Sequence, residues 1–279
     1  MIIMHETRVG LHSSLVWVPR WGYKKVRIPV IQKQQQQENY TGLSNKRVVL
    51  LGGSSGIGLA VAQQVVAQGA QAIIGSSNAE RIKQAVATLD GKAEGHTLDL
   101  SDEHDIQSFF QRLGDFDHLV FTAGDTLQLN ELAATDLHKA RHAFELRYWA
   151  VLAAVKYAST HIREGGSIVL TTGIAGERPH GGWTLAASVC GAIVSLTRAL
   201  AVELAPLRVN AVSPGVVRTN LWQNMQGRDR DGMYERVGKT LLVGRVGEAC
   251  EIARAYLFLM QEGYSTGQTV VLDGGALLV

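Results

Sequence analysis

The chain has 279 residues, a formal net charge of +2 and two cysteines. This length suits one sizeable α/β core, and the two cysteines lack the paired spacing of a disulfide framework or a zinc cluster. We therefore expect a reducing, cytoplasmic setting. Residues 1–39 carry six basic and two acidic residues, which leaves the remainder slightly acidic. This charge balance predicts no nucleic-acid partner. No apolar run reaches about 18 residues, so we expect no membrane span.

Residues 1–39 show no sustained helical or strand period and end in a glutamine-rich stretch typical of a polar linker. We interpret them as a poorly ordered N-terminal extension, because chain ends are disordered unless something docks them. The alternative is a basic aromatic patch for an anionic surface, formed by Trp17, Pro19, Arg20, Trp21, Tyr23, Lys24, Lys25 and Arg27. The domain itself is predicted over residues 40–279.

From Lys46 onward, short apolar runs alternate with longer segments of helical period. In the first unit, a strand leads through a glycine turn at residues 52–58 into a helix over residues 59–68. The runs that predict strands are residues 48–51, 72–74, 118–121, 167–170, 209–212 and 269–272. Such successive βα units predict a single α/β domain: a Rossmann-type, doubly wound parallel sheet of six or seven strands, with helices on both faces.

The glycine turn is the clearest functional signal, with the sequence Gly52-Gly53-Ser54-Ser55-Gly56-Ile57-Gly58. Because it joins a strand to a helix, its free amides and the positive end of the helix dipole face one point where a pyrophosphate can sit. Glycine is needed where a β-carbon would block close approach of the backbone. A tight turn without a ligand is the alternative, but the position in a βα unit favours dinucleotide binding.

These residues resemble the Gly-x-x-x-Gly-x-Gly fingerprint of the short-chain dehydrogenase/reductase family, with Gly52, Gly56 and Gly58 in the glycine positions. Later segments resemble further landmarks of the family in the same order: Asp99-Leu100, Thr122-Ala123-Gly124, Pro214 to Thr219, and Asp273-Gly274-Gly275. The resemblance extends from Lys46 to Gly275. It implies that the cofactor meets Gly52, Ser54, Ser55, Gly56, Ile57, Gly58, Ser76, Ser77, Asn78, Asp99, Leu100, Thr122, Ala123, Gly124, Pro214, Gly215, Val217 and Thr219.

The residues closing the second strand distinguish NAD from NADP in proteins of this kind. A carboxylate there pairs with the ribose hydroxyls of NAD, whereas a cation accepts the phosphate of NADP. This chain presents Ser76, Ser77 and Asn78, with Arg81 one helical turn later. Because hydroxyls can donate to a phosphate and no carboxylate repels it, we expect NADP(H) in preference to NAD(H). A solvated turn is the alternative.

The resemblance also locates four catalytic positions, and none of them carries the residue of the family. The family uses a Tyr as proton donor, a Lys four residues later, a Ser and an Asn. Residues 195–201 resemble the stretch after the Tyr-x-x-x-Lys motif, which puts Ala186 at the Tyr and Cys190 at the Lys. Gly173 falls at the Ser and Arg147 at the Asn. The fold is unaffected, but the usual proton transfer is in doubt.

Three side chains are candidates to replace the missing chemistry. Arg147 can stabilise charge at the cofactor ribose, the substrate oxygen or a substrate carboxylate, since an Arg in a buried site needs an anionic partner. The alternative is that it turns outward or pairs with Glu145 or Glu177. Thr172 can supply a hydroxyl if the turn shifts by one residue. His180 has an imidazole suited to acid/base work, although loop histidines are more often solvated.

Two further features of the sequence are a pair of histidines and the segment of residues 221–241. His138 and His142 lie four residues apart on a predicted helix, but no third ligand is evident, so we interpret them as a polar face and expect no metal site. Residues 221–241 correspond to the family's substrate lid. Apolar side chains available there to a small-molecule substrate are Trp222, Met225, Met233 and Tyr234.

The sequence thus predicts hydride transfer between NADP(H) and a small carbonyl or alcohol substrate, with Arg147 as the electrostatic stabiliser. The alternative is a catalytically inactive nucleotide-binding sensor or scaffold, because a fold does not determine a function. The family commonly forms dimers or tetramers through the helices that here carry Arg147 and Cys190. By resemblance we therefore expect a homodimer or homotetramer.

Overall fold

The computed structural model describes residues 42–124 and 129–279. The predicted N-terminal extension, its alternative as a basic aromatic patch, and the boundary at residues 39 and 40 lie outside these residues. The description therefore begins just before the first strand, where Leu43 is buried in the core.

Seven parallel strands form one sheet in the order β3-β2-β1-β4-β5-β6-β7. The strands are β1 Arg47–Leu51, β2 Gln71–Ser76, β3 Ala93–Thr97, β4 Phe116–Phe121, β5 Ile162–Thr171, β6 Arg208–Pro214 and β7 Thr269–Leu272. The order reverses between β1 and β4, and this switch point is where doubly wound sheets leave a crevice at the carboxyl ends of their strands. The predicted fold class is confirmed.

Eight helices connect the strands in the described part of the chain: α1 Gly56–Ala67, α2 Ala79–Ala87, α3 Glu103–Leu113, α4 Leu137–Phe144, α5 Ala150–Ala158, α6 Thr184–Glu203, α7 Gly227–Thr240 and α8 Ala249–Gln261. They cover both faces of the sheet, which explains why its central strands are apolar on both sides. In β1, Val48 and Leu50 join the core shared with α1 and α8, whereas Val49 and Leu51 join the core shared with α3, α5 and α6.

Several helices begin at a side chain that accepts hydrogen bonds from the first turn. Asn78 caps α2 by accepting from the amide of Arg81 at 2.8 Å, and Asp102 and Asp136 cap α3 and α4 in the same way. Helix α1 differs, because its N-cap residue, Ser55, makes no side-chain cap hydrogen bond. The first-turn amides of α1 are therefore left to another acceptor.

A π-helical turn at Glu145–Trp149 separates α4 from α5. Its wide hydrogen bond runs from the amide of Ala150 to the carbonyl of Glu145, five residues earlier. Such turns insert one residue into an otherwise continuous helix and rotate the side chains that follow. The rotation affects Arg147, which lies within the turn.

Helix α6 is the one described helix that is long and apolar enough to cross a membrane by length and composition, with a mean hydropathy of 1.8 over 18 residues. Its inner face, including Ile193, Leu196 and Leu200, is buried in the core beneath the sheet. The helix also contains Arg198. Packing against the sheet accounts for the apolar side chains of this inner face, as in other core helices of doubly wound folds.

A polar cluster lies buried at the amino end of β4. The carboxylate of Asp117 accepts hydrogen bonds from Lys46 Nζ at 3.0 Å, Arg163 Nη1 at 3.1 Å and the amide of Arg47 at 2.8 Å. These donors hold the pKa of Asp117 below its usual value, against the opposing effect of burial. Next to it, burial lowers the pKa of His118 to about 4.

The predicted strands are all present, and the structure adds β3. This strand has the sequence Ala93-Glu94-Gly95-His96-Thr97, lies at the edge of the sheet and has no fully buried residue. An edge strand without an apolar run gives no periodic signal in the sequence. A short ribbon formed by Val217–Arg218 and Gly247–Glu248 is likewise too short to predict.

Candidate functional site

A cleft of about 550 Å³ opens at the carboxyl ends of the central strands. Its walls come from the residues that follow β1, β2, β4, β5 and β6, together with the helical segment before α5, helix α6 and the segment after Pro214. The cleft therefore coincides with the switch point of the sheet, where ligands bind in open α/β folds.

Two glycines allow the loop after β1 to lie against the end of β4. Gly52 has a φ of +92°, and a β-carbon on it would lie 2.5 Å from the amide nitrogen of Ala123. A β-carbon on Gly58 would lie 2.4 Å from the carbonyl oxygen of Gly52 and 2.5 Å from Thr122 Oγ1. Any larger residue at either position would move the loop, so the shape of the cleft depends on these glycines.

The amino end of α1 provides a place for a diphosphate. Ser55 leaves the first-turn amides uncapped, no acidic residue lies in that turn, and Gly56 lies open to the cleft. A β-carbon on Gly56 would meet only the side chain of Thr219, at 3.4 Å. Uncapped amides and the positive end of the helix dipole attract an anion, so the residues present fit the diphosphate of a dinucleotide.

The far end of the cleft contains serine hydroxyls and a guanidinium. Ser54 Oγ donates to Ser76 Oγ at 2.9 Å, and both side chains are buried. Arg81 reaches the same end from α2, and its Nε is buried without a hydrogen-bond partner among the described residues. A buried donor without a partner is costly, so a bound acceptor would satisfy this nitrogen.

Asp99 lies at the same end of the cleft. Its carboxylate accepts from the hydroxyl of Ser101 at 2.7 Å and from the amide of Ser101 at 2.9 Å. These hydrogen bonds, the side-chain one first, lower the pKa of Asp99 from its ordinary value. The carboxylate is therefore charged and fixed in position near neutral pH.

All the residues predicted to meet the cofactor line this cleft except Asn78. The carboxamide of Asn78 is directed to the first turn of α2, where it accepts from the amide of Arg81. Its observed role is thus to begin the helix that carries Arg81 into the cleft.

The four positions identified through the catalytic motif of the family lie together in the cleft: Arg147, Gly173, Ala186 and Cys190. A β-carbon on Gly173 would lie 3.4 Å from Cys190 Sγ, so these two residues adjoin. Burial raises the pKa of Cys190, and the hydrogen bond to Thr172 and the charge of Arg147 offset this only in part. The thiol therefore stays protonated near neutral pH.

The guanidinium of Arg147 lies directly over Gly124. A β-carbon on Gly124 would be 2.8 Å from Arg147 Nη1 and 2.9 Å from Cζ, closer than real contacts allow. The Arg side chain is partly buried and lines the cleft. A guanidinium group therefore forms the part of the cleft wall beside Gly124.

The other two catalytic candidates are placed differently. Thr172 lines the cleft, but its hydroxyl donates to the backbone carbonyl of Cys190 at 2.9 Å. His180 is exposed and is not among the residues that line the cleft. Its ring packs edge-on against Trp183, with centroids 4.9 Å apart, and Trp183 is itself in the cleft wall.

Part of the cleft wall is apolar. Trp183 and Trp222 line the cleft, together with Leu146, Ile174 and Leu221. Trp222 is fixed by the hydrogen bond from its Nε1 to the carbonyl of Val217 at 3.1 Å. Of the predicted lid residues, Met225, Met233 and Tyr234 do not line the cleft, and Tyr234 is buried beneath Arg218, whose guanidinium lies 4.5 Å from its ring.

The main site residue that the sequence interpretation missed is His142. The sequence interpretation assigned it to a polar helix face; it is exposed on α4 and also lines the cleft together with Leu146 and Arg147. The π-helical turn that follows α4 gave no signal in the sequence. Within the described ranges, no group of three His, Cys, Asp or Glu side chains could hold a metal ion.

A doubly wound parallel sheet with a glycine loop and an uncapped helix at its switch point defines a dinucleotide-binding α/β protein. Residues 52–276 match the family described as enoyl-(acyl carrier protein) reductase. Together with the relatives below, this match shows that the chain belongs to the short-chain dehydrogenase/reductase family and is an oxidoreductase of that type.

Three similar proteins cover nearly the whole domain. Short-chain dehydrogenase/reductase malC of Malbranchea aurantiaca is 32% identical over 253 residues, 85% of this chain and 96% of the relative. The structure of this MalC reductase/Diels-Alderase has a TM-score of 0.80 at 31% identity and covers 86% of this chain and all of its own. The 3-oxoacyl-[acyl-carrier-protein] reductase of Homo sapiens is 34% identical over 245 residues, 84% of this chain and 99% of the relative. A small-chain dehydrogenase in complex with NADPH is 36% identical, with a TM-score of 0.73, over 85% of this chain and 100% of its own.

Proposed function

We propose that the protein is an NADP(H)-dependent oxidoreductase that interconverts a small carbonyl compound and its alcohol, with Arg147 as the electrostatic stabiliser of a non-standard site. The observation that carries this proposal is a single cleft whose wall contains a diphosphate cradle at α1, the guanidinium of Arg147 and two indole rings. The nicotinamide cofactor, when bound, supplies or accepts the hydride.

The preference for NADP(H) rests on the end of the cleft near β2. Ser76 and Ser77 offer hydroxyls, and Arg81 brings a guanidinium whose buried Nε lacks a partner among the described residues. A phosphate on the ribose would accept from these donors, and hydrogen bonds to a charged group are the strong ones. A relative solved in complex with NADPH supports the same choice.

The non-standard site rests on the residues at the positions that the family resemblance identifies. Ala186 and Gly173 have no proton to give, and the thiol of Cys190 is kept protonated by burial. A missing general acid costs about 10²- to 10⁴-fold in rate. We therefore expect slow turnover, or a substrate whose developing charge is stabilised in another way.

Arg147 can provide that stabilisation. Its charge lies in a partly buried cleft, where electrostatic interactions are stronger than in water. A carbonyl oxygen that gains negative charge during hydride transfer would be stabilised there, as in an oxyanion hole. The indole rings of Trp183 and Trp222 favour an apolar, ring-containing small molecule as the group that carries the carbonyl.

The first test is to measure binding of NADPH and NADH by calorimetry, followed by NADPH oxidation with a panel of aromatic and aliphatic carbonyls. We expect NADPH binding and slow oxidation. The variant Arg147→Leu should lose about 10²- to 10³-fold in kcat, the usual cost of one oxyanion donor, and should still bind NADPH. The variant Arg141→Leu is the matched control, because Arg141 is exposed on α4, just before the turn that carries Arg147, and does not line the cleft.

Each alternative has its own outcome. Undiminished turnover by Arg147→Leu would remove Arg147 from the proposal, and binding of NADPH without any oxidation would favour a nucleotide-binding sensor or scaffold.

A second candidate function is a cycloaddition, since the similar protein MalC is named as both a reductase and a Diels-Alderase. An apolar aromatic cleft with no acid at Gly173 or Ala186 suits a reaction that moves no proton. Conversion of a diene substrate without cofactor oxidation would support it.

A further inference from the structure

The cleft contains few side chains that could exchange a proton. Among the described residues that line it, the ionisable ones are Arg81, Asp99, His142, Arg147 and Cys190. Arg81 and Asp99 lie at the far end, beside Ser76 and Ser101. Among the described residues, His142, Arg147 and Cys190 are then the ionisable side chains left as candidates to exchange a proton with the substrate.

His142 enters the cleft wall from helix α4. The π-helical turn that follows this helix, Glu145–Trp149, carries Arg147 into the same wall. His142 is also exposed to solvent. The cleft wall therefore includes an imidazole that can exchange protons with water.

The three groups differ in their ability to release a proton. A guanidinium does not release its proton in proteins, and burial raises the pKa of the Cys190 thiol. Imidazole is the ordinary side chain that gains and loses a proton near neutral pH. We propose that His142 is the general acid of this site and replaces the tyrosine that is absent at Ala186, an inference that rests on the proposed reductase function.

The step balances as follows in the direction of reduction. His142 gives its proton to the carbonyl oxygen, which becomes the hydroxyl of the alcohol, while the carbonyl carbon accepts a hydride from the reduced nicotinamide. The carbonyl π bond breaks, a C–H and an O–H bond form, and the cofactor is left oxidised. Neutral His142 then regains a proton from water. Because His142 is exposed to solvent, it needs no internal proton relay.

Other titratable groups share the cleft with His142 or lie near it along the chain. Arg147 and Cys190 share the cleft with it. The remaining titratable groups on its own helix and on the neighbouring loops are Glu131, His138, Lys139, Arg141, Glu145, Glu177, Arg178 and His180. The test must therefore change His142 itself and not infer its role from a pH profile alone.

The decisive variant is His142→Gln, with His138→Gln as the matched control on the exposed surface of the same helix. We expect His142→Gln to bind NADPH as tightly as the unmutated chain and to lose about 10²- to 10⁴-fold in kcat, the range for general acids. Free imidazole in the buffer should restore part of the kcat of His142→Gln, and none to Arg147→Leu.

A second readout does not need turnover. In the full chain with labelled histidines, the imidazole signal absent from His142→Gln should shift when NADP⁺ and benzyl alcohol are added, and the signal absent from His138→Gln should not. Wild-type kcat in His142→Gln, or an unmoved His142 signal, would overturn this proposal alone. Absence of oxidation by the unmutated chain with every carbonyl would overturn it together with the proposed function.

Discussion

Several properties of the cleft depend on positions that carry no side chain. Gly58 lets α1 pack against the loop after β1, Gly124 leaves room for the guanidinium of Arg147, and Gly173 leaves Cys190 Sγ beside open space. Each glycine therefore has a specific neighbour, and the effect of replacing it can be derived from that neighbour. Backbone neighbours cannot move aside, whereas flexible side chains can.

Gly58→Ala should abolish cofactor binding. The added β-carbon would lie 2.4 Å from the carbonyl oxygen of Gly52, so the loop that forms the diphosphate cradle would have to shift. We expect at least about 100-fold weaker NADPH binding by calorimetry, which corresponds to about 2.7 kcal/mol. Gly263→Ala is the control, since a β-carbon there meets nothing within 4 Å. Equal binding by both variants would contradict the role of this loop.

Arg81→Gln should change cofactor selectivity and leave the fold intact. Loss of a charged hydrogen bond to the ribose phosphate costs about 1.5–3 kcal/mol, which is about 10- to 100-fold in the Kd of NADPH. The Kd of NADH should stay the same, because NADH lacks that phosphate. Lys83→Gln, an exposed change on the same helix, should alter neither. Parallel weakening of both cofactors by Arg81→Gln would refute the phosphate contact.

At the scale of secondary-structure elements, local sequence patterns predicted the central strands and the glycine loop. Apolar runs identify the central strands because both faces of each strand are buried, and the loop from Gly52 to Gly58 is recognisable because its spacing reflects steric need. The π-helical turn was not predictable, because nothing in its composition distinguishes it from an α-helix. The edge strand β3 was missed for lack of an apolar run, and an exposed histidine such as His142 gives no local sign that it also borders a cleft.

Strand β4 should make the stability of the fold depend on pH. His118 is buried, its Nδ1 lies 2.9 Å from Ser167 Oγ, and burial lowers its pKa from 6.5 to about 4. The unfolded chain binds a proton at His118 below pH 6.5 and the folded chain does not. The contribution of His118 to the free energy of unfolding is therefore complete above pH 6.5. It decreases by about 3 kcal/mol in total as the pH is lowered towards 4.

Urea unfolding between pH 7.5 and pH 4 measures this effect. As the pH is lowered, the free energy of unfolding should decrease less steeply for His118→Gln than for the unmutated chain. His138→Gln, a change at an exposed residue, should keep the steeper decrease. Identical slopes in all three proteins would show that His118 is protonated in the folded state or already neutral in the unfolded one.

At the scale of the whole molecule, the helices that carry the site also present apolar groups to solvent. Trp149 in the π-helical turn is 52% exposed and Val202 at the end of α6 is 82% exposed. Exposed apolar groups on helices of a doubly wound domain suit a partner surface. The expectation of a homodimer or homotetramer through these helices therefore stays a prediction, with residues that can test it.

Trp149→Glu should weaken that assembly. A carboxylate placed in an apolar interface must be desolvated without a partner, which is costly. Light scattering should show a dimer or tetramer for the unmutated chain and a shift towards the monomer for Trp149→Glu. Leu132→Glu is a control at an exposed apolar residue outside these helices. A monomeric unmutated chain, or an unchanged mass for Trp149→Glu, would rule out this interface.

The two tryptophans of the cleft wall have an optical consequence. Trp183 packs edge-on against the ring of His180, and Trp222 donates a hydrogen bond to the carbonyl of Val217. If a nicotinamide binds in this cleft as proposed, its reduced form would accept excitation energy from these indoles and its oxidised form would not. Tryptophan emission would then report the redox state of the cofactor and follow a turnover as it happens.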